Sequence, residues 1–329
     1  MGKMIEGTWR SDTWIRNQQG EFRREPTTFR DPIEADDDAT YRVEADRYHL
    51  YVSYACPWAH RTLIVRALMG LEDAIGVSVV HPHMLEDGWS FDTDFDGATG
   101  DRIGNRQFLR HLYSDADPNY TGRVTVPVLW DTERETIVNN ESREIIRNFS
   151  TQFRELATNG VDLYPEKVRD EIDEVIDAIY EPINNGVYRS GFATTQEAYD
   201  DAVTELFEAL QRWDDHLQDN RYLCGDVFTE ADVCMFTTLI RFDPVYYGHF
   251  KCNIKHVYEF DNLWNYTLEI YQMPGIAETC RFDHIQSHYY YSHETINPTR
   301  IVPRGPYLDR RADHDRHRLP GGIATPSPA

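Results

Sequence analysis

At 329 residues the chain is long enough for two domains of ordinary size. Its net charge of −23, with only four lysines (3, 167, 251 and 255) among 33 basic residues, excludes nucleic acid and anionic membrane as partners and reads as a surface adapted to high intracellular salt. Five scattered cysteines (56, 224, 234, 252, 280), no membrane-length apolar run and no signal-peptide core predict a protein of the reducing cytoplasm.

Residues 1–45 are polar and acidic, with isolated anchors at Trp9, Trp14, Phe22 and Phe29, and are expected to drape over a domain as an extension. Tyr48 to Tyr54 is a β-branched and aromatic run that predicts a buried strand. Pro57 suits a first helical turn, Leu63, Ile64, Ala67 and Leu68 give one apolar face, and Gly70 is the stop. Cys56 therefore stands at a helix N-terminus, where unpaired N–H groups and the positive end of the dipole favour a thiolate nucleophile. Position 59 is Ala, so no second thiol can close a disulfide within the turn. A mixed disulfide with a small thiol is the natural intermediate. His60 is next in line but is expected to face elsewhere.

Ile75 to Val80 predicts a second strand, completing a βαβ unit and a parallel pair. A long insertion, 81–122, carries Trp89. Val124 to Trp130 and Thr136 to Val138 predict two further strands joined by a turn over 131–135. Val126-Pro127 leaves two readings open: a cis peptide bond exposing the Val126 backbone to an extended ligand, or an ordinary edge-strand proline. Asn140-Glu141-Ser142 opens a helix through Phe153, and a serine at a helix start can bind a carboxylate.

From about 165 to 285 the period becomes helical, with stripes such as Val168, Ile172, Val175, Ile176 and Ile179, and a capping box at Thr229-Glu-Ala-Asp232. Residues 286–308 are Tyr- and Pro-rich and are expected to be ordered but irregular. The polar tail from 310 to 329 is expected to be disordered. His81-Pro-His83, Cys252 to His256 and the His-rich tail lack four-ligand spacing, so no metal is expected. The fold class is α/β followed by all-α. An extension over 1–45 precedes a thioredoxin-like thiol-binding domain over 46–155. A helical domain over 160–285, an ordered C-terminal extension over 286–309 and the tail complete the chain.

This order of parts resembles the cytosolic glutathione transferases. Longer words make the resemblance specific: Ala55-Cys-Pro-Trp-Ala-His-Arg61, Arg123-Val-Thr-Val-Pro-Val-Leu-Trp-Asp131, Asn139-Asn-Glu-Ser142, Asn184-Asn-Gly-Val-Tyr188, Arg241-Phe-Asp-Pro-Val-Tyr246, and His288-Tyr-Tyr290 with Ile296-Asn-Pro298 are similar to the xi class, the glutathionyl-hydroquinone reductases. The resemblance spans residues 6–308. It implies that Cys56 attacks the sulfur of a glutathione–hydroquinone thioether, with glutathione as co-substrate and γ-glutamylcysteine as the alternative thiol. It further implies that Glu141 pairs with the γ-glutamyl ammonium and Ser142 with the adjacent carboxylate. The Val126 backbone would meet the cysteinyl portion, Arg123 the far carboxylate, and Trp89 would pack over the thiol ligand. Tyr188, Tyr246 and Tyr289 are implied contacts of the aromatic hydroquinone, with Tyr247 and Tyr290 as neighbouring candidates. A homodimer is expected by the same analogy. An omega-like deglutathionylase needs Cys56 without the tyrosines, and a non-catalytic binding module needs neither.

Overall fold

A computed structural model describes residues 2–11, 20–36 and 38–325; Trp14, expected as an anchor, lies outside them. The chain divides into two compact units. The first comprises residues 1–15, 24–159 and 281–294, and the second residues 16–23, 160–280 and 295–329.

In the first unit a short hairpin, β1 (Lys3–Ile5) with β2 (Thr8–Arg10), precedes the main sheet. That sheet is built from β3 (Tyr48–Val52), β4 (Gly76–Val79), β5 (Val128–Asp131) and β6 (Thr136–Asn139), in the order β4-β3-β5-β6. β3 runs parallel to β4 with Leu50 beside Val77, and antiparallel to β5 with Leu50 beside Leu129. Every residue of β3 and β5 is buried, as expected of strands covered on both faces. Between β3 and β4 lies α1 (Pro57–Met69), ended by Gly70 at φ 67°, a left-handed position suited to glycine. Helix α2 (Arg110–Ala116) lies within the long insertion, and α3 (Ser142–Thr151) follows β6.

β5 is shorter than the strand expected from 124. Pro127 cannot donate to a ladder, so regular pairing starts one residue beyond it. The Val126–Pro127 peptide is cis. The extension docks on the far edge of this sheet: Asp31 N donates to Val138 O at 3.0 Å, and Asn140 N to Phe29 O at 3.0 Å. It thereby covers the edge that β6 would otherwise present.

The second unit is helical: α4 (Arg169–Ile179), α5 (Gly186–Gly191), α6 (Gln196–Asp219), α7 (Glu230–Arg241) and α8 (Asp261–Gln272). The capping box at the start of α7 is present, joining Thr229 and Asp232. Two five-residue π-turns, Tyr180–Asn184 and Phe242–Tyr246, extend α4 and α7. Each has proline at its third position, Pro182 and Pro244, where the missing N–H removes an ordinary helical bond. Three residues after each proline the amide instead reaches five residues back, Asn185 N to Tyr180 O and Tyr247 N to Phe242 O, both at 2.8 Å.

Two expectations are overturned beyond residue 285. The stretch expected to be irregular opens as helix: α9 (Phe282–Ser292) belongs to the first unit. Its buried stripe of His284, Ile285, His288 and Tyr289 has helical spacing, masked in the sequence by imidazole and phenol side chains. The tail is not disordered over 310–325. Buried Arg316 donates to Leu217 O at 2.8 Å and Arg221 O at 2.9 Å, at the C-terminus of α6. β8 (Gly322–Ile323) pairs with β7 (Val227–Phe228). A guanidinium that bonds carbonyls at the end of α6 and just beyond it holds a segment whose polar composition suggests no core.

Candidate active site

Cys56 is the residue immediately before α1, in extended conformation (φ −76°, ψ 121°), and makes no side-chain bond that caps its own helix. Pro57 follows at the first helical position. The Cys56 thiol is half-buried and donates to Val126 O at 3.5 Å, so the nucleophile candidate and the backbone before the cis bond adjoin. All five cysteines are thiols. Burial pushes Cys224, Cys252 and Cys280 up to about 12, which keeps them protonated and inert at neutral pH. His60 is wholly buried.

At the start of α3, Glu141 is the capping residue and Ser142 the first residue of the helix. The Glu141 carboxylate accepts from Arg143 N at 3.3 Å and from the Thr27 hydroxyl at 3.2 Å. Ser142 is buried, and Arg61 from α1 approaches its hydroxyl at 3.5 Å. Arg61 lies over the Trp58 ring at 4.4 Å, and Arg24 of the extension lies over the same ring at 4.9 Å. These helix starts thus gather hydroxyl, carboxylate and guanidinium groups, a set suited to an amino acid's ammonium and carboxylate. Arg61, Arg24 and Thr27 were not expected from the sequence. Arg61 stands in the same short motif as Cys56, whereas Thr27 and Arg24 come from a segment with no periodicity.

Arg123 is half-buried, which pulls its pKa down, and its Nε lies 3.5 Å from Glu25 Oε2. Trp89 is buried and stacks on His288 with ring centroids 4.7 Å apart. Tyr289 is buried beside the same histidine and His293. Cys56, Val126, Glu141, Ser142, Arg123, Trp89 and Tyr289 all belong to the first unit.

Tyr188 and Tyr246 belong to the second. There Tyr188 of α5 and Tyr246, the last residue of the second π-turn, have ring centroids 6.0 Å apart, within an aromatic cluster that includes Phe250, Phe192 and Phe22. A Cβ on Gly191 would meet the Phe250 ring at 2.2 Å, so the cluster's packing requires glycine there. Tyr247 is set apart by stacking on His256, and Tyr290 is only half-buried.

Comparison with known proteins matches residues 55–152 to the glutathione S-transferase N-terminal domain and residues 196–267 to its C-terminal domain. Glutathionyl-hydroquinone reductase YqjG of Escherichia coli K12 is 53% identical over 96% of this chain and 98% of its own. A xi-class transferase structure from Natrialba magadii is 58% identical, covers 98% of both chains and superposes with a TM-score of 0.93. The chain belongs to the xi class of glutathione transferases. The glutathione-bound structure of YqjG is also similar, at 51% identity and a TM-score of 0.88 over 96% of this chain and 99% of its own. Membership of the xi class agrees with the thioredoxin-like sheet of the first unit and the helices of the second. Among the described residues no group of three or more His, Cys, Asp or Glu is arranged to hold a metal ion, and no helix is long and apolar enough to cross a membrane.

Proposed function

We propose that the protein is a glutathionyl-hydroquinone reductase in which Cys56 carries the chemistry. The observation that carries this reading is a lone thiol at the start of α1, beside the Val126 carbonyl and with Ala59 in place of a second cysteine. Glutathione docks with its γ-glutamyl ammonium on Glu141 and its neighbouring carboxylate on Ser142 and the α3 N-terminus. Its cysteinyl backbone pairs with Val126, its far carboxylate meets Arg123, and Trp89 packs over it. Pairing of the ligand with Val126 withdraws the carbonyl that the Cys56 S–H uses, and the thiolate then depends on the α1 N-terminus.

The Cys56 thiolate attacks the glutathione sulfur of the thioether. The sulfur–carbon bond breaks, its electron pair stays on the ring carbon, and that carbon takes a proton to give the hydroquinone. The Cys56–glutathione disulfide remains. A second glutathione thiolate attacks it, releasing glutathione disulfide and the Cys56 thiolate. Tyr188, Tyr246 and Tyr289 hold the quinol oxygens and assist the proton transfer. γ-Glutamylcysteine can replace glutathione at Glu141, Ser142 and Val126, but it has no glycine carboxylate for Arg123. In the same reading the enzyme works as a homodimer in the cytoplasm of a cell rich in salt.

Mass spectrometry after mixing with a glutathionyl-hydroquinone tests the proposal. One glutathione adduct on Cys56, with one hydroquinone released, is expected, and Cys56→Ser should abolish both. Hydroquinone release by the serine variant at the wild-type rate would end the proposal.

A further inference from the structure

Arg123 already has an anionic neighbour. Glu25, from the extension, places Oε2 3.5 Å from Arg123 Nε and Oε1 3.8 Å from Lys3 Nζ. The Glu25 side chain is 36% exposed, whereas that of Arg123 is 20% exposed and that of Lys3 22%. The carboxylate is therefore the more solvated member, able to leave toward water or remain with Lys3. The guanidinium is the enclosed member, and its burial disfavours it without a counter-charge. Arg24, the residue before Glu25, is held over the Trp58 ring beside Arg61, so the extension is anchored next to the starts of α1 and α3.

From this arrangement we infer that Glu25 is a built-in competitor: a side-chain carboxylate that occupies Arg123 until the far carboxylate of the thiol ligand displaces it. The inference rests on the reading of Arg123 given under Proposed function. Exchange of one carboxylate for another keeps Arg123 neutralised throughout, so the ligand gains only the difference between two similar ion pairs. Glu25 thus sets specificity. It lowers the advantage of a thiol with a terminal carboxylate over one without, and leaves the Glu141, Ser142 and Val126 contacts untouched. An ion pair whose carboxylate is open to water is worth little, so the effect is modest, about two- to fivefold in dissociation constant.

The test uses the full chain carrying Cys56→Ser, so that binding is not followed by disulfide exchange. Calorimetry compares glutathione with its glycine ethyl ester, which lacks the charge. Glu25→Gln should tighten glutathione about two- to fivefold and leave the ester unchanged. Tightening of both ligands alike, or of neither, overturns the inference. Arg123→Met provides the separate control. If it weakens glutathione more than the ester while Glu25→Gln does nothing, the role of Arg123 stands and that of Glu25 falls. If it treats both ligands alike, the assignment of Arg123 falls and the inference with it.

Discussion

In the proposed binding mode a single side chain, Ser142, has a measurable share of thiol affinity. Ser142 is buried at the first turn of α3 with Arg61 near its hydroxyl, so a ligand carboxylate there would gain a charge-assisted hydrogen bond in a partly dehydrated place. Such bonds contribute about 1.5–3 kcal/mol. Ser142→Ala should therefore weaken glutathione roughly 10- to 100-fold, read by calorimetry, with turnover at saturating thiol little changed. A loss of turnover with unchanged affinity would move Ser142 from binding to chemistry. The tyrosines ask a different question, because a deglutathionylase needs only the thiol half of the machinery. Tyr188→Phe with Tyr246→Phe keeps both rings and their packing against Phe250, and removes two phenolic oxygens. Hydroquinone release should fall about 10²-fold or more if those oxygens serve proton transfer, with reduction of a small glutathione mixed disulfide unaffected. Equal loss on both substrates would count against a role specific to the quinol.

At the scale of elements, helix signals were legible where aliphatic residues carried the period, as in α1, α4 and α6. They were obscured where other side chains did the packing. α9 buries histidine and tyrosine, and the tail is held by Arg316 donating to carbonyls; neither pattern scores as apolar. The π-turns had a visible signal in Pro182 and Pro244, but a proline in a helical stretch reads as a stop, and only tertiary contacts decide that the chain winds on. The places of Cys56, Glu141 and Ser142 at helix starts were legible because they follow from local strand-to-helix boundaries. The contacts of Arg61 with Ser142 and of Glu25 with Arg123 join segments 81 and 98 residues apart, beyond any local pattern.

The capping box of α7, which local spacing did reveal, has an energetic consequence. Asp232 is buried and accepts from Leu223 N, Thr229 N and Tyr266 OH, yet burial dominates and raises its pKa to about 6. A carboxyl whose folded pKa lies above its unfolded value binds its proton more tightly when folded. Its contribution is complete below the ordinary aspartate range and is lost as pH rises through about 6. The wild type should thus lose about 3 kcal/mol relative to Asp232→Asn between acid pH and neutral pH, read from paired urea titrations. A pH-independent difference between the two proteins would show that the hydrogen bonds offset the burial.

Charge is a property of the whole molecule. Fifty-six acidic residues face 33 basic ones, so even if every cation were paired, 23 negative charges would remain to repel one another. Ion pairs respond to salt in the opposite sense, since screening weakens attraction as well as repulsion. The buried ones are protected: Arg47 holds Asp131 at 2.6 Å with both side chains almost wholly enclosed. Exposed pairs, such as Arg318 with Asp315, contribute little at any salt. Of the interactions that salt can change, repulsion among the uncompensated carboxylates therefore outweighs the attraction within surface pairs. As KCl is raised from about 0.1 M to about 1 M, the screening length falls from about 10 Å to about 3 Å, shorter than most separations between surface charges. The melting temperature should rise through this range, most steeply at its lower end, and an uncharged osmolyte at equal osmolality should not reproduce the shape of the rise. A melting temperature that stays flat or falls with KCl would mean that the acidic surface carries no stability cost, and the proposed adaptation to salt would lose its physical basis.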